Sequence, residues 1–386
     1  MPPTKHEHLS VLSRIGVSRV INASGIYTDL GGSRLSPTVW AAAEELNGQF
    51  VRMTELLDKT GERIACLNGV EAARITPGAA AAILLGTAAC LAGTDGLKSQ
   101  QLPDTAGMKN RVLIQAGHRY KYDRQVSMAG ARLTEVGSQN GTRIDQLTEA
   151  MNGATAAVIH PAHLDGKPGT LSLEEVASAA HAQNIPVIVD AAYMNYPVSI
   201  MGSYVKRGAD LVCISAKYFG GPNAGGFIMG RKDLIEAVSN VHFTRYESGP
   251  YLKFGRPLKM DRQIVIAVLA ALEEWFAMDH EARFAGYRRQ VRVLQEKLSG
   301  LAGIRLEPKS FTMDERFVDE PVNCLLITID KTQCSKSANE IIRHFEDVEP
   351  AIVAVHDGDK IAFVMDVLQD DEVHYISDEL VALLTN

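Results

Sequence analysis

A lysine occupies an unusual position in the sequence, between an apolar run and a pair of glycines. Lys217 follows the strand-like run "DLVCISA" and stands just before Gly220-Gly221. The ordinary interpretation is a strand that ends in a solvated loop, because lysine is almost never fully buried without a partner. The alternative is a reactive amine at the rim of a crevice, where it can bond covalently to a carbonyl compound.

Two other stretches carry groups that could work with such an amine. Asp190 ends the apolar run "IPVIVDAA", where a carboxylate points into the crevice that binds ligands in α/β proteins or caps a loop. In "ITPGAAAA", Thr76 is a good N-cap and Pro77 suits the first helical position, which predicts a helix start. The N–H groups near Gly78, Ala79 and Ala80 can bind phosphate, unless this is only a buried packing helix.

The elements that must position these groups follow a strand and helix alternation. Longer amphipathic stretches separate several of the short runs rich in Val and Ile, and the runs are apolar at successive positions, which indicates strands covered on both faces of a parallel sheet. These runs are "RVLIQAG", "AAVIHPA", "IPVIVDAA" and "DLVCISA". If the last two strands are neighbours, Asp190 and Lys217 open onto one crevice with the Thr76 helix. An amine, a carboxylate and a phosphate cradle are what pyridoxal phosphate requires.

Histidines near the ends of two predicted strands are further candidate site residues. His118, in "IQAGHRYKYDRQV", follows a strand end and could stack on a cofactor ring, although a lone histidine is more often an ordinary loop residue. His160 and His163 could suggest a metal site. We predict none, because three or four donors at matching spacing are normally needed.

The chain is expected to fold into a large domain and a smaller one. An N-terminal segment covers residues 1–49, an α/β domain covers 50–255, and a linker helix with a small α+β domain covers 256–386. The stretch from Lys259 to Gly300 reads as one or two long helices. A helix near Ala338–Phe345 and a hairpin turn at Asp357-Gly358 are predicted in the small domain.

Composition limits the compartments and partners. The net charge is −7, with 39 Lys and Arg against 46 Asp and Glu, so there is no basic excess for a nucleic-acid partner. The five cysteines lack C-x-x-C spacing, which argues against a disulfide framework or thiolate zinc site. The first residues lack an apolar signal core, and the apolar helix from Ala79 to Ala92 is too short to span a bilayer. These features predict a cytoplasmic, soluble protein.

Several motifs together resemble one enzyme family. They are "VINASGIYTDLGGSRLSP", "FVRMTEL", "ITPGAAAAILLGTAACLAG", "IQAGHRYKYDRQVSMAGARLTEVG", "VIVDAA" and "SAKYFGGPNAGGFIMGRKDLI". From about Val20 to the C-terminal domain, the chain resembles the fold-type-I pyridoxal-phosphate enzymes of the selenocysteine-synthase-like group, and within it the D-glucosaminate-6-phosphate ammonia-lyase-like proteins. The resemblance implies a mostly parallel, seven-stranded-type sheet in a large domain and a small C-terminal α+β domain.

The same resemblance implies roles for individual residues. Lys217 is the Schiff-base lysine, Asp190 the partner of the pyridine nitrogen and His118 the ring-stacking residue. The phosphate and cofactor contacts are assigned to Thr76, Gly78, Ala79 and Ser215.

Three departures from the family pattern bear on the substrate. Pro77 stands where the ammonia-lyase-like branch is expected to have serine, which removes one hydroxyl from the phosphate cup. The stretch "AAYMNYP" after Asp190 is bulkier and more aromatic than expected. The tRNA-binding region of selenocysteine synthase is not expected before Val20, which disfavours selenium transfer onto seryl-tRNA.

These considerations predict a lyase that catalyses α,β-elimination on a small hydroxylated amino acid or amino sugar acid. The freed Lys217 removes the α-proton before the β-hydroxyl departs, and hydrolysis then gives a 2-keto acid and ammonia. Arg52 and Arg256 are candidates for binding a substrate carboxylate or phosphate, with surface salt bridging as the alternative. Aldolase, racemase and β-replacement activities stay open, as do a tRNA-linked transferase and a catalytically silent scaffold.

The segment before the large domain predicts the oligomeric state. "NASGIYTDLGGSRLSP" is rich in Gly and Ser and has few residues that could pack into a core. We expect it to lie across a second subunit in a homodimer or a higher homo-oligomer; the alternative is that it folds back over its own small domain.

Overall fold

The computed structural model describes residues 11–385. Residues 1–10, which belong to the predicted N-terminal segment and to the stretch assessed for a signal core, lie outside the described residues, as does Asn386. The strands are β1 (Val20–Ala23), β2 (Ala72–Thr76), β3 (Arg111–Gln115), β4 (Arg132–Val136), β5 (Thr155–Pro161), β6 (Val187–Asp190), β7 (Leu211–Ser215), β8 (Gly226–Gly230), β9 (Ile304–Phe311), β10 (Phe317–Val318), β11 (Cys324–Ile329), β12 (Ala351–Asp357) and β13 (Lys360–Val364).

The α-helices alternate with the strands in the first two thirds of the chain, and two long helices follow each other directly after residue 260. They are α1 (Val11–Ile15), α2 (Pro37–Asn47), α3 (Met53–Asn68), α4 (Gly78–Ala92), α5 (Gly96–Gln101), α6 (Arg124–Met128), α7 (Ile144–Ala150), α8 (Leu173–His181), α9 (Ile200–Lys206), α10 (Lys232–Val241), α11 (Arg262–Ala277), α12 (His280–Leu298), α13 (Ala338–Asp347) and α14 (Asp370–Thr385). The long helical stretch is therefore two helices, α11 and α12.

The larger sheet has seven strands in the order β2-β8-β7-β6-β5-β3-β4. Only β8 runs antiparallel to its neighbours β2 and β7, and the remaining pairs are parallel. Every residue of β5, β6, β7 and β8 is buried, as expected for strands covered on both faces. The predicted mostly parallel sheet of an α/β domain is confirmed.

Helix α4 is apolar on all sides because it lies inside the protein. It packs into a core that includes Ile188, Leu211 and Ile228, one from each of three neighbouring strands. Its small residues allow close approach to the sheet: a Cβ atom at Gly86 would lie 2.9 Å from Ile228 Cδ1. The helix thus begins at the edge of the sheet where β2 ends and runs back beneath the strands.

The chain forms two compact units, residues Gly32–Ala277 and the described residues up to Gly31 together with those from Met278 onward. These divisions differ from the predicted boundaries at 49/50 and 255/256. Helices α2 and α11 belong to the larger unit because they pack on each other. The Arg262 guanidinium donates hydrogen bonds to the carbonyls of Leu46 and Asn47 at the end of α2.

The smaller unit is built on a six-stranded sheet in the order β1-β12-β13-β11-β9-β10. Only β1 and β12 are parallel. Phe345 of α13 contacts Phe363 of β13 edge to face, with ring centroids 5.9 Å apart, inside the core of this unit. Asp357 pairs with Lys360 across the predicted hairpin turn, and Gly358 in that turn has a φ of 62°, so both that turn and the α13 helix agree with expectation.

Two further features of the described residues concern helix length and the grouping of potential metal ligands. None of the helices between residues 11 and 385 is long and apolar enough to cross a membrane. In the same range, no group of three or more His, Cys, Asp or Glu side chains is arranged to hold a metal ion.

Candidate active site

The strand ends of the larger sheet bring the predicted site residues to one edge. Thr76 at the end of β2 pairs with Gly226, and Gly226 pairs on its other side with Ser215 at the end of β7. Asp190 at the end of β6 lies beside Cys213 of β7. These pairings therefore place the Thr76 helix start, Asp190 and the turn after Ser215 along the same edge of the sheet, because β2, β6 and β7 run in the same direction and β8 runs opposite to them.

Lys217 lies in a 3-10 turn, Ala216–Phe219, directly after β7. Only 9% of its surface is exposed, so the solvated-loop interpretation does not hold. Its Nζ atom lies 4.9 Å from the centroid of the Tyr218 ring. The two glycines that follow are required by the turn: Gly220 has a φ of 79°, and a Cβ atom at Gly221 would lie 2.7 Å from Ala216 Cβ.

The start of α4 differs in detail from the prediction. Pro77, and not Thr76, is the N-cap residue, and no side chain caps the first turn. The Thr76 hydroxyl instead donates a hydrogen bond to the carbonyl of Gly78 over 3.0 Å. Backbone N–H groups in the first turn are therefore left to pair with something other than a capping side chain.

The space above this helix start is shaped by glycines. Gly78 has a φ of 84°, and a Cβ atom at Gly226 would lie 2.8 Å from the Gly78 backbone. A larger residue at either position would fill or distort the cradle. Small residues, an uncapped positive helix end and a neighbouring buried amine are suited to a phosphate group.

Asp190 is a buried carboxylate whose hydrogen-bond donors are neutral. It is 4% exposed, Oδ2 accepts a hydrogen bond from the Tyr120 hydroxyl over 2.6 Å, and Oδ1 accepts one from the Ala192 N–H over 3.1 Å. Burial raises the pKa of Asp190, whereas these two donors and the nearby His163 act in the opposite direction. Such a carboxylate has a strong tendency to bind a cationic group.

Four rings, from the turns after four strands, connect Asp190 to Lys217. The centroid distances are 5.3 Å from Tyr120 to His163, 5.8 Å from His163 to Tyr193, and 5.9 Å from Tyr193 to Tyr218. We call these four residues the aromatic belt. The aromatic stretch after Asp190 that departs from the family pattern contributes Tyr193 to this belt.

His118 occupies a different environment from the one its predicted stacking role suggests. It is 0% exposed, and each ring nitrogen has a partner: Gln115 Nε2 at 3.3 Å from Nδ1, and Thr170 Oγ1 at 3.1 Å from Nε2. Because the Thr170 hydroxyl donates to the Lys167 carbonyl, His118 Nε2 is the donor to Thr170. Burial lowers the pKa of His118 to about 4, so the ring is neutral.

The contacts found for the two predicted substrate arginines do not involve Lys217, Asp190 or the start of α4. Arg52 is exposed at the start of α3. Arg256 donates a hydrogen bond from Nε to Glu247 over 2.9 Å, and its guanidinium lies 5.5 Å from the Tyr246 ring centroid. Their contact with a substrate stays a prediction.

Sequence reasoning missed Tyr120 and His163. The signal available for both was position, because each follows a strand end by only a few residues, as Lys217 does. Their type gave no separate indication. In the same stretch the sequence analysis selects His118 and not Tyr120, and it treats His163 only as a possible metal ligand together with His160.

The residues gathered at this edge fit the predicted cofactor, pyridoxal phosphate. The uncapped first turn of α4 and its glycine cradle suit the phosphate, Asp190 suits a protonated ring nitrogen, and Lys217 supplies the amine. Lys217, Asp190 and the start of α4 all belong to the larger unit, Gly32–Ala277.

Comparisons with known proteins agree with this arrangement. The family model described as "SelA: L-seryl-tRNA selenium transferase" matches residues 20–283. The chain is 30% identical over 356 residues to a 5'-C-glycyluridine monooxygenase-decarboxylase of Streptomyces sp, covering 89% of this chain and 84% of that protein. It is 32% identical over 301 residues to the D-glucosaminate-6-phosphate ammonia lyase of Salmonella typhimurium (strain 14028s / SGSC 2262), covering 76% and 77%.

A solved structure of D-glucosaminate-6-phosphate ammonia-lyase has the same fold. The TM-score is 0.85 at 26% identity, and the match covers 98% of this chain and 100% of that one. The predicted resemblance and the predicted fold class are therefore confirmed.

Proposed function

The chain belongs to the SelA family, and from this premise we propose that it acts as a pyridoxal-phosphate-dependent lyase of the ammonia-lyase type on a small hydroxylated amino acid or amino sugar acid. The observation that carries this proposal is the buried Lys217 at the same sheet edge as Asp190 and the uncapped start of α4. The 32% identity with an ammonia lyase supports the reaction class.

Three features of this chain would hold the cofactor. The Lys217 amine would bond covalently to its aldehyde carbon, the Asp190 carboxylate would pair with its ring nitrogen, and the first turn of α4 would receive its phosphate. Bound there, pyridoxal phosphate withdraws electrons from the α-carbon of an amino acid.

The chemistry assigned to the protein is a proton transfer and an elimination. The Lys217 Nζ atom takes a proton from the α-carbon of the substrate, and the β-hydroxyl group leaves as water after protonation. The unsaturated product is then hydrolysed to a 2-keto acid and ammonia. The aromatic belt lies beside Lys217 and limits the access of bulk water to this proton.

We assign the ring-stacking role to His163 in place of His118. His163 is half-buried, lies between Tyr120 and Tyr193, and stabilises the negative charge of Asp190. His118 is enclosed by Gln115 and Thr170, which suits a residue that holds the turn after β3 in place.

A second candidate reaction is oxidative decarboxylation. The Streptomyces relative, whose name gives a monooxygenase-decarboxylase of 5'-C-glycyluridine, matches a larger share of this chain than the ammonia lyase does. An amino acid joined to a nucleoside would place a flat base near the rings of the aromatic belt, where stacking is favourable.

A substrate screen with two sets of readouts separates these candidates. Purified protein loaded with pyridoxal phosphate is offered amino sugar acids, their phosphate esters, hydroxy-amino acids and glycyl nucleosides. Release of ammonia and a keto acid without oxygen uptake supports the lyase, whereas oxygen uptake with carbon dioxide release supports the alternative. Lys217→Ala is the inactive control, and Lys206→Ala, at an exposed lysine on α9, is its matched partner.

We also propose that a homodimer is the smallest active unit. In the Gly- and Ser-rich segment, Ala23 packs into the core of the smaller unit, as the fold-back alternative expects, whereas the exposed part that contains Gly31 has few residues that could pack into a core and supports the dimer. Light scattering combined with activity at falling protein concentration tests it, and a fully active monomer would contradict it.

A further inference from the structure

Tyr120 makes the shortest contact with the Asp190 carboxylate among the hydrogen bonds found at that residue. Its hydroxyl donates to Oδ2 over 2.6 Å, while the Ala192 N–H donates to Oδ1 over 3.1 Å. One donor on each oxygen fixes the plane of the carboxylate. An ionised carboxylate has about four acceptor positions, so two are left for a ligand.

The Tyr120 hydroxyl is itself held in place by its own turn. Its backbone N–H donates to Asp123 Oδ2 over 3.1 Å, and Arg119 Nε donates to the same oxygen. Asp123 is buried, and the Tyr120 ring packs edge to face against His163. The hydroxyl therefore reaches Asp190 from a rigid base and loses little entropy in doing so.

We infer that Tyr120 is a positioning residue that holds the Asp190 carboxylate in the orientation and ionised state needed to bind the cofactor's ring nitrogen. This inference rests on the proposed function. It adds a residue from the turn after β3 to a pairing assigned so far to Asp190 alone.

The charged and titratable groups around Asp190 explain why a neutral hydroxyl matters there. Tyr120 faces it from the turn after β3, His163 from the turn after β5, and Cys213 from β7. None of these three carries a fixed positive charge. Burial and the negative charge of Asp190 raise the pKa of both Tyr120 and Cys213, so both stay neutral. Loss of the Tyr120 donor thus favours protonation of Asp190.

The test measures pyridoxal phosphate binding to apoprotein as a function of pH. Tyr120→Phe removes one oxygen atom and should weaken binding roughly tenfold at neutral pH, the usual cost of an unpaired buried acceptor. The acid limit of binding, which is the pH below which pyridoxal phosphate no longer binds, should move to higher pH, because Asp190 is protonated more readily in this variant. Tyr122→Phe is the matched control, since Tyr122 is 46% exposed with its ring centroid 6.2 Å from that of Tyr120.

A second variant of Tyr120 and a double-mutant cycle with Asp190 distinguish a positioning role from a general structural role. Replacing Tyr120 by 3-fluorotyrosine makes the hydroxyl a stronger donor and should move the acid limit to lower pH. In an Asp190→Asn background, Tyr120→Phe should change binding far less than in the native protein. Additive effects, or an unchanged acid limit in both Tyr120 variants, would overturn the inference.

The outcome for the native protein tells the two proposals apart. If native apoprotein does not bind pyridoxal phosphate, the proposed function fails. If it binds, and Tyr120→Phe binds with equal affinity and the same pH dependence, only the role of Tyr120 fails.

Discussion

Opposite edges of the seven-stranded sheet each hold a buried aspartate, and the two have different partners. Asp190 and Asp210 are both 4% exposed. Asp210, just before β7, accepts hydrogen bonds from Arg231 Nη1, His181 Nε2 and the Val187 N–H. Asp190, at the end of the neighbouring β6, accepts from a tyrosine hydroxyl and a backbone N–H.

The difference shows how burial alone fails to separate structural from functional carboxylates. Asp210 is paired with the Arg231 guanidinium and hydrogen-bonded to His181, and it ties α8 and the turn after β8 to the start of β7. Asp190 has only neutral hydrogen-bond donors, with His163 nearby, and in the proposed function it binds the positively charged ring nitrogen of the cofactor. We call these the Asp210 edge and the Asp190 edge. Substitutions at the Asp210 edge should change the free energy of unfolding, and substitutions at the Asp190 edge should change catalytic activity.

The largest effect is expected for Lys217→Ala at the Asp190 edge. Loss of the amine removes both the covalent anchor and the proton acceptor, so activity should fall roughly a thousandfold or more. Thermal unfolding should change little, because removing the amine also removes the cost of burying a polar group. A visible absorption spectrum of bound pyridoxal phosphate that is identical in the variant would show that another lysine is the anchor.

Asp190→Asn should have the next largest effect. The amide keeps the shape but cannot pair with a protonated ring nitrogen, so kcat should fall roughly a hundredfold. The free energy of unfolding should stay the same or increase, because burial raises the pKa of this carboxyl and an amide avoids that cost. Near-native turnover would remove Asp190 from the proposed mechanism.

Asp210→Asn should give the reverse pattern. Arg231 loses its charge partner and His181 loses a carboxylate acceptor, and we expect the free energy of unfolding to decrease by about 2 kcal/mol, a moderate value because Arg231 is partly exposed. Activity at a temperature well below the unfolding transition should be native. A large loss of kcat without loss of stability would break the comparison between the two edges.

His118 provides the smallest and most specific test, since it lies at the Asp190 edge with structural partners. Its pKa is lowered from the ordinary 6.5 to about 4 by burial and by His160. As the pH falls from about 6.5 to about 4, the unfolded chain binds a proton that the folded protein does not, so stability decreases through this window. His118→Gln should remove that part of the decrease in chemical unfolding experiments. The exposed His374→Gln serves as the control.

Much of the site could be predicted because it depends on short-range pattern. Apolar runs of strand length gave β3, β5, β6 and β7 to within about two residues at each end, a usual margin for element ends. Residues that follow such runs were then natural candidates, and this identified Asp190 and Lys217.

The sequence alone thus determined the class of fold, the family and the chemical groups that end the central strands, because side-chain periodicity and strand length are local properties of the chain. Tertiary structure alone decided which of those groups meet. The strand order β7-β6-β5-β3 brings the turn after β3 close enough for Tyr120 to reach Asp190, and it places His163 between two tyrosines. The same packing encloses His118 between Gln115 and Thr170. Strand order depends on how whole elements exclude water from their shared faces, and no local pattern around Tyr120, His163 or His118 contains that information.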